Sequence, residues 1–266
     1  MSDKFKINQG NSPSLQSQSE PSKPSKQSKH PNRLRTVLTW IVVSVVTLGT
    51  IIGGMVFLDD RKYYFISLLM IAYAIVPFFI RFEKRKPQSR EVVIIAVMVA
   101  IAVAGRAAFF MVPQFKPVVA IVIISGVCLG KESGFLIGAM TGFVSNFIFG
   151  QGPWTPWQMF CFGIIGFIAG MLFEKTLVMK TPRKRQIILC IYGGLAAFFI
   201  YGGIIDLWTI LGMTPEPVLG TFILAYTVAL PFNLIHAVAT VFFLYFITNP
   251  MINKLERVKL KYGAFR

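Results

Sequence analysis

The chain has 266 residues, of which 55% are hydrophobic and only 14% charged, and its mean hydropathy is +0.64. That composition excludes an ordinary water-soluble domain, because no globular surface could be covered with so few polar groups. A net charge of +16 points to anionic partners, but which ones depends on where the basic residues stand.

Residues 1–35 are rich in Ser, Pro and Lys and nearly devoid of large apolar side chains, so they cannot bury enough surface to fold. A disordered basic tail is expected there. It is not a secretory signal, since the first apolar run starts near Thr36 and continues to about 58 without a convincing cleavage site. Seven further runs follow, at about 63–80, 92–112, 117–130, 134–150, 158–173, 186–205 and 221–247. About 20 apolar residues are needed to cross the hydrocarbon layer as a helix. Period-two alternation is absent from these runs, which argues against a membrane β-barrel. The expected fold is an all-α polytopic membrane helix bundle. Residues 36–80 form an extra transmembrane pair, 90–254 a six-helix membrane domain and 255–266 a basic cytoplasmic tail.

Threading eight spans in order puts all the basic residues on one side except Arg61, Lys62, Arg106 and Lys116, of a total of 27. This is the asymmetry that sets membrane orientation, so both termini are expected in the cytoplasm. It also removes the nucleic-acid reading. Cys128, Cys161 and Cys190 have neither disulfide nor metal spacing and read as small core residues.

Within the third run Ala96, Ala100, Ala104 and Ala108 recur every four residues, as Gly134, Gly138 and Gly142 do in the fifth and Gly166 and Gly170 in the sixth. Small residues at this spacing let helix backbones approach closely, within a chain or between subunits. Polar residues inside the spans gather towards the side opposite the basic loops. These are Arg106, Asn146, Asp206 with Trp208 at the end of the seventh run, and Asn233 with His236 just past Pro231. Ionisable groups are costly in a membrane and mark functional sites by default. Three readings stand for Arg106: a ligand contact, snorkelling to headgroups, or an ion pair with Asp206. Asp206 also reads as a plain loop residue.

Between the fifth and sixth spans lies Gly150-Gln151-Gly152-Pro153-Trp154-Thr155-Pro156-Trp157-Gln158. Its two prolines fix φ and remove two donors, so a rigid non-helical loop is expected. Trp154 and Trp157 suit either a membrane-surface aromatic belt or a stacking site for a flat ligand. No P-loop, Gly-x-Ser-x-Gly, His-Glu-x-x-His or paired acidic motif occurs in the sequence, so no catalytic residue, metal site or cofactor is expected. A self-sufficient channel or secondary transporter remains the alternative to a binding subunit. It would be favoured by inverted repeats or midplane ionisable groups, and neither is evident.

From Arg90 to about Lys254 the chain resembles the substrate-binding S component of energy-coupling factor (ECF) transporters. The resemblance rests on six final helices, the Ala96-x-x-x-Ala100 stripe, the loop Val112-Pro113-Gln114-Phe115-Lys116-Pro117 and the run Leu230-Pro231-Phe232-Asn233-Leu234. The run Gly150 to Gln158 is similar to members associated with cobalamin or a related corrinoid, with riboflavin or another vitamin as the alternative ligand. The resemblance implies a vitamin-uptake subunit that is not an enzyme, driven by a membrane coupling subunit and two cytoplasmic ATPases. It implies coupling contacts at Ala96, Ala100 and Ala104. The expected pocket on the outer side is lined by Arg106, Gln114, Phe115, Asn146, Trp154, Trp157, Asp206, Trp208, Asn233 and His236. The extra helical pair departs from the family pattern.

Overall fold

A computed structural model describes residues 62–84, 87–174, 181–215 and 217–263. The expected tail 1–35 and the first helix of the extra pair lie outside the described residues. Among those described, the elements are helices: α1 (Lys62–Lys84), α2 (Ser89–Ala108), α3 (Val118–Leu129), α4 (Lys131–Phe149), α5 (Thr155–Phe173), α6 (Pro182–Leu195), α7 (Gly203–Met213) and α8 (Leu219–Tyr262). A π-helical stretch, Ala196–Gly202, joins α6 to α7 without a break. α2, α5, the continuous rod Pro182–Met213 and α8 are each long and apolar enough to cross a membrane. The fold is an all-α polytopic membrane bundle, as the sequence suggests.

α3 has only 12 residues, about 18 Å at 1.5 Å per residue, too short to cross alone. All of its residues are buried, so it is the central post of the bundle and is apolar all round for that reason. α4 and α5 pack on it and on each other through glycine. A Cβ on Gly126 would stand 2.1 Å from the carbonyl oxygen of Gly166, and one on Gly138 would stand 2.2 Å from that of Phe162. The spacing of Gly134, Gly138, Gly166 and Gly170 thus serves packing inside the chain. The Ala96, Ala100, Ala104 and Ala108 stripe does not, since all four face outward on α2.

Several helix ends depart from the sequence expectation. α2 stops at Ala108, so Arg106 stands two residues from its end, closer than a span reaching 112 would place it. The rod carrying Asp206 and Trp208 runs on to Met213, so both lie inside the helix and not at its end. Pro156 does not exclude helix: it occupies the first turn of α5, where its missing N–H costs nothing, and Trp154 is the residue before that helix. α8 spans 44 residues, about 66 Å, and continues well beyond the apolar run because Lys, Arg, Glu and Leu at its end are good helix formers.

Alternating helix directions bring Arg106, Lys116, Trp154, Asp206 and the start of α8 to one end, the tryptophan end. The opposite, basic end holds Arg90, Lys131, Lys184 and Lys254. At the basic end Lys259 donates to the carbonyl oxygen of Cys128 at 2.6 Å, which satisfies a free carbonyl in the last turn of α3.

Candidate functional site

Three successive contacts from the first turn of α5 organise the tryptophan end. Thr155, buried, is the first. Its hydroxyl donates to Gln151 Oε1 at 3.0 Å and accepts from the Gly152 amide at 3.2 Å and from Asn146 Nδ2 at 2.9 Å. This ties the glycine-proline loop to both helices it joins. The chain of bonds ends on Arg106, whose Nη1 donates to Asn146 Oδ1 at 3.0 Å and to Ser145 Oγ. The guanidinium also lies 4.4 Å from the centroid of Phe149, a cation–π contact. Lys116, from the loop before α3, approaches the same ring at 5.6 Å, and burial together with the Arg106 charge pushes its amine below the ordinary range. Arg106 is 8% exposed and, among the described residues, bonds only to neutral groups.

Trp157 is the second contact. It is buried in an aromatic-aliphatic cluster with Trp208 and Ile71, and Trp154, Ile204 and Ile205 pack around it. Trp154 meets Trp208 edge to face at 5.8 Å, a preferred aromatic geometry. Gly152 makes this possible, because a Cβ there would stand 2.2 Å from the Trp154 ring.

Gln158 is the third. Its Nε2 donates to Tyr201 Oη at 3.2 Å. The Tyr201 ring stacks on Phe162 at 4.9 Å and meets His236 edge-on at 4.6 Å. Tyr201 belongs to the π-helical stretch; such wide turns recur at functional sites because they re-aim side chains. One residue on, Gly202 leaves room for Asn233: a Cβ would stand 2.6 Å from its amide carbon. Asn233 Nδ2 donates to Asp206 Oδ2 at 2.7 Å.

Most buried polar groups in folded proteins are hydrogen-bonded, so exceptions need a reason. Trp157 Nε1, Gln158 Oε1 and His236 Nδ1 are buried and have no partner among the described residues. The first two are neighbours in the same helical turn, and Gln158 and His236 both touch Tyr201.

The structure thus brings together Arg106 with Asn146, Trp154 with Trp157 and Trp208, and Asp206 with Asn233, and sets His236 against Tyr201. It separates the suggested pair Arg106 and Asp206, which bond to different partners. Phe115 stands apart from these groups. It packs on Phe109, Phe242 and Phe243 at 5.2–6.0 Å, binding its loop to α8. Gln114, beside it, is half-buried and holds a left-handed backbone, φ 56°. Ser145, Thr155 and Tyr201 carry no distinct signal in the sequence, whereas Gln151 and Gln158 lie within the tryptophan run.

An apolar helix bundle of this length is a multi-pass membrane protein, and its buried polar and aromatic groups gather at one end. Residues 86–254 match the family described as ECF-type riboflavin transporter, S component, and this chain belongs to it. It is therefore a substrate-binding subunit that works with the other components of an ECF transporter. Among curated proteins, a UPF0397 protein of Aliivibrio fischeri (strain MJ11) is 30% identical over 139 residues, covering 48% of this chain and 74% of that protein. A UPF0397 protein of Vibrio atlanticus (strain LGP32) is 32% identical over 88 residues, covering 31% and 48%. No solved structure gives a significant match.

Proposed function

We propose that this chain captures riboflavin or a close flavin relative from outside the cell at its tryptophan end, for delivery inward by a separate ATPase module. The observation that carries this reading is the set Trp157 Nε1, Gln158 Oε1 and His236 Nδ1, buried among stacked rings with no partner among the described residues. A flavin ring offers a flat face for the indoles and, on its pyrimidine edge, alternating carbonyl acceptors and an N–H donor that match such a set. The description of the family favours a flavin too. A corrinoid, the ligand suggested by the likeness of Gly150–Gln158, is bulkier. Side chains at this end already bond to one another, and a thin ring separates them with less rearrangement.

The site on this reading comprises Arg106, Asn146, Trp157, Gln158, Tyr201, Trp208 and His236, with Asp206 and Asn233 fixing the rod against α8. The outward Ala96, Ala100 and Ala104 meet the membrane coupling subunit, and both termini lie in the cytoplasm. Titration of the purified protein with riboflavin and, separately, with cyanocobalamin tests the ligand. Riboflavin should bind and its fluorescence should be quenched by stacking. Trp157→Ala should weaken it by about 10- to 100-fold, the scale of one base stacked on an aromatic ring. Saturable corrinoid binding without flavin binding would replace the flavin reading.

A further inference from the structure

The match to the S-component family begins at residue 86, so α1 precedes the matched range. Even so, α1 does not pack at random on the bundle. Its basic-end half is anchored: Phe78 stacks on Phe135 at 3.9 Å with the planes 9° apart and meets Phe167 edge-on at 5.1 Å. Arg81 Nε pairs with Glu132 Oε1 at 3.2 Å, at the start of α4. Ile75 is buried beside Phe135 and Ala139. Its other half reaches the tryptophan end, where Ile71, 7% exposed, forms one buried cluster with Trp157 and Trp208.

Lipid tails are as apolar as isoleucine, so no hydrophobic force drives Ile71 out of the bilayer onto these rings; shape fit has to supply the contact. Tryptophan exposed to lipid normally sits at headgroup level, where its N–H is wet. Trp157 is instead buried with its N–H unpartnered among the described residues, and Ile71 belongs to the same buried cluster. We propose that α1 is a built-in wall of the substrate site, shielding it from the bilayer, and that Ile71 is the positioning residue that sets the Trp157 and Trp208 indoles for the ligand. A flat ligand stacked on an indole needs that ring held at a fixed tilt, and a gap behind it lets the ring rock and admits acyl chains. The proposal rests on the reading of the tryptophan end as the ligand site.

The test uses the full chain carrying Trp40→Phe, so that the remaining indoles are Trp154, Trp157 and Trp208. Riboflavin is the probe, and variants are Ile71→Ala, the conservative Ile71→Val, and Phe78→Ala, which loosens the anchored half of the same helix. Ile71→Ala should raise the riboflavin Kd about threefold to tenfold, mainly through faster dissociation, with Ile71→Val near wild type. Phe78→Ala should lower Tm while leaving Kd within about twofold. A second readout does not depend on the ligand: in vesicles of acyl-brominated phosphatidylcholine, indole emission should be quenched more in Ile71→Ala than in the parent. Equal Kd losses in Ile71→Ala and Phe78→Ala, or an unchanged Kd in Ile71→Ala, would overturn the proposal. If riboflavin does not bind the parent, the flavin reading fails by itself, and quenching then decides alone: unchanged quenching in Ile71→Ala overturns the wall and increased quenching upholds it.

Discussion

Arg106 carries a guanidinium into the end of an apolar helix, and among the described residues its partners are neutral: Ser145, Asn146 and the face of Phe149. A buried charge without a counter-charge is expensive, so its retention asks for a ligand group that repays it. Arg106→Gln should therefore weaken riboflavin binding by about 10- to 100-fold, the worth of a hydrogen bond from a charged donor (about 1.5–3 kcal/mol). The same substitution should leave Tm unchanged or raised, because a neutral amide can still bond Asn146 without the desolvation cost. Calorimetric titration and thermal unfolding of one preparation separate the two effects; unchanged affinity would make Arg106 a snorkelling residue. The residues legible in the sequence were those whose polarity is anomalous in an apolar run: Arg106, Asn146, Asp206, Asn233 and His236. Ser145 and Thr155 were not, because small hydroxyls are common in membrane helices and usually bond their own backbone, as Thr141 and Thr240 do here. The packing of Phe115 on α8 was not legible, because an aromatic ring in a loop serves packing and ligand stacking equally well.

At the scale of helices, two stripes of small residues with the same spacing play different parts. The glycines of α4 and α5 are spent inside the chain, against α3 and each other, where a methyl group would overlap backbone atoms. The alanines of α2 all face outward, flanked by exposed Val93, Val97 and Ile101, and no helix among the described residues covers them. Sequence spacing cannot separate these cases, since i, i+4 repetition describes a helix face and not its neighbour. Burial does. Ala100→Trp should block close approach of the coupling subunit, lowering uptake in cells more than tenfold by order of magnitude, while riboflavin affinity of the isolated subunit stays within about twofold. Equal losses of uptake and binding would return the stripe to internal packing. The π-helical stretch at Ala196–Gly202 had no sequence signal, because apolar periodicity is nearly the same on either side of one wide turn. The long continuation of α8 was hidden for a different reason: apolar content marks where a helix meets lipid, and not where it ends.

At the scale of the whole molecule, the separation of charge and site is the organising fact. Basic residues cluster at one end of the bundle, and Arg106, Lys116 and Lys62 at the start of α1 are the cations of the other end among the described residues. Hydropathy and charge placement made this division legible from sequence alone, since both are sums over many residues and survive errors at any one helix end. On the proposed reading it sets the direction of work: the site would open to the outside, and the basic loops would hold the opposite end in the cytoplasm. Single cysteines test the orientation. In a background where the buried Cys128, Cys161 and Cys190 are replaced by alanine, Gly220→Cys reports the tryptophan end and Lys184→Cys the basic end. Both positions are exposed, and a Cβ at Gly220 meets nothing within 4 Å, so neither change should disturb packing. A membrane-impermeant maleimide added to intact cells should label position 220 and leave 184 unlabelled until the membrane is opened. The reverse pattern would place the tryptophan end in the cytoplasm, and the site could then only release or sense a ligand from within.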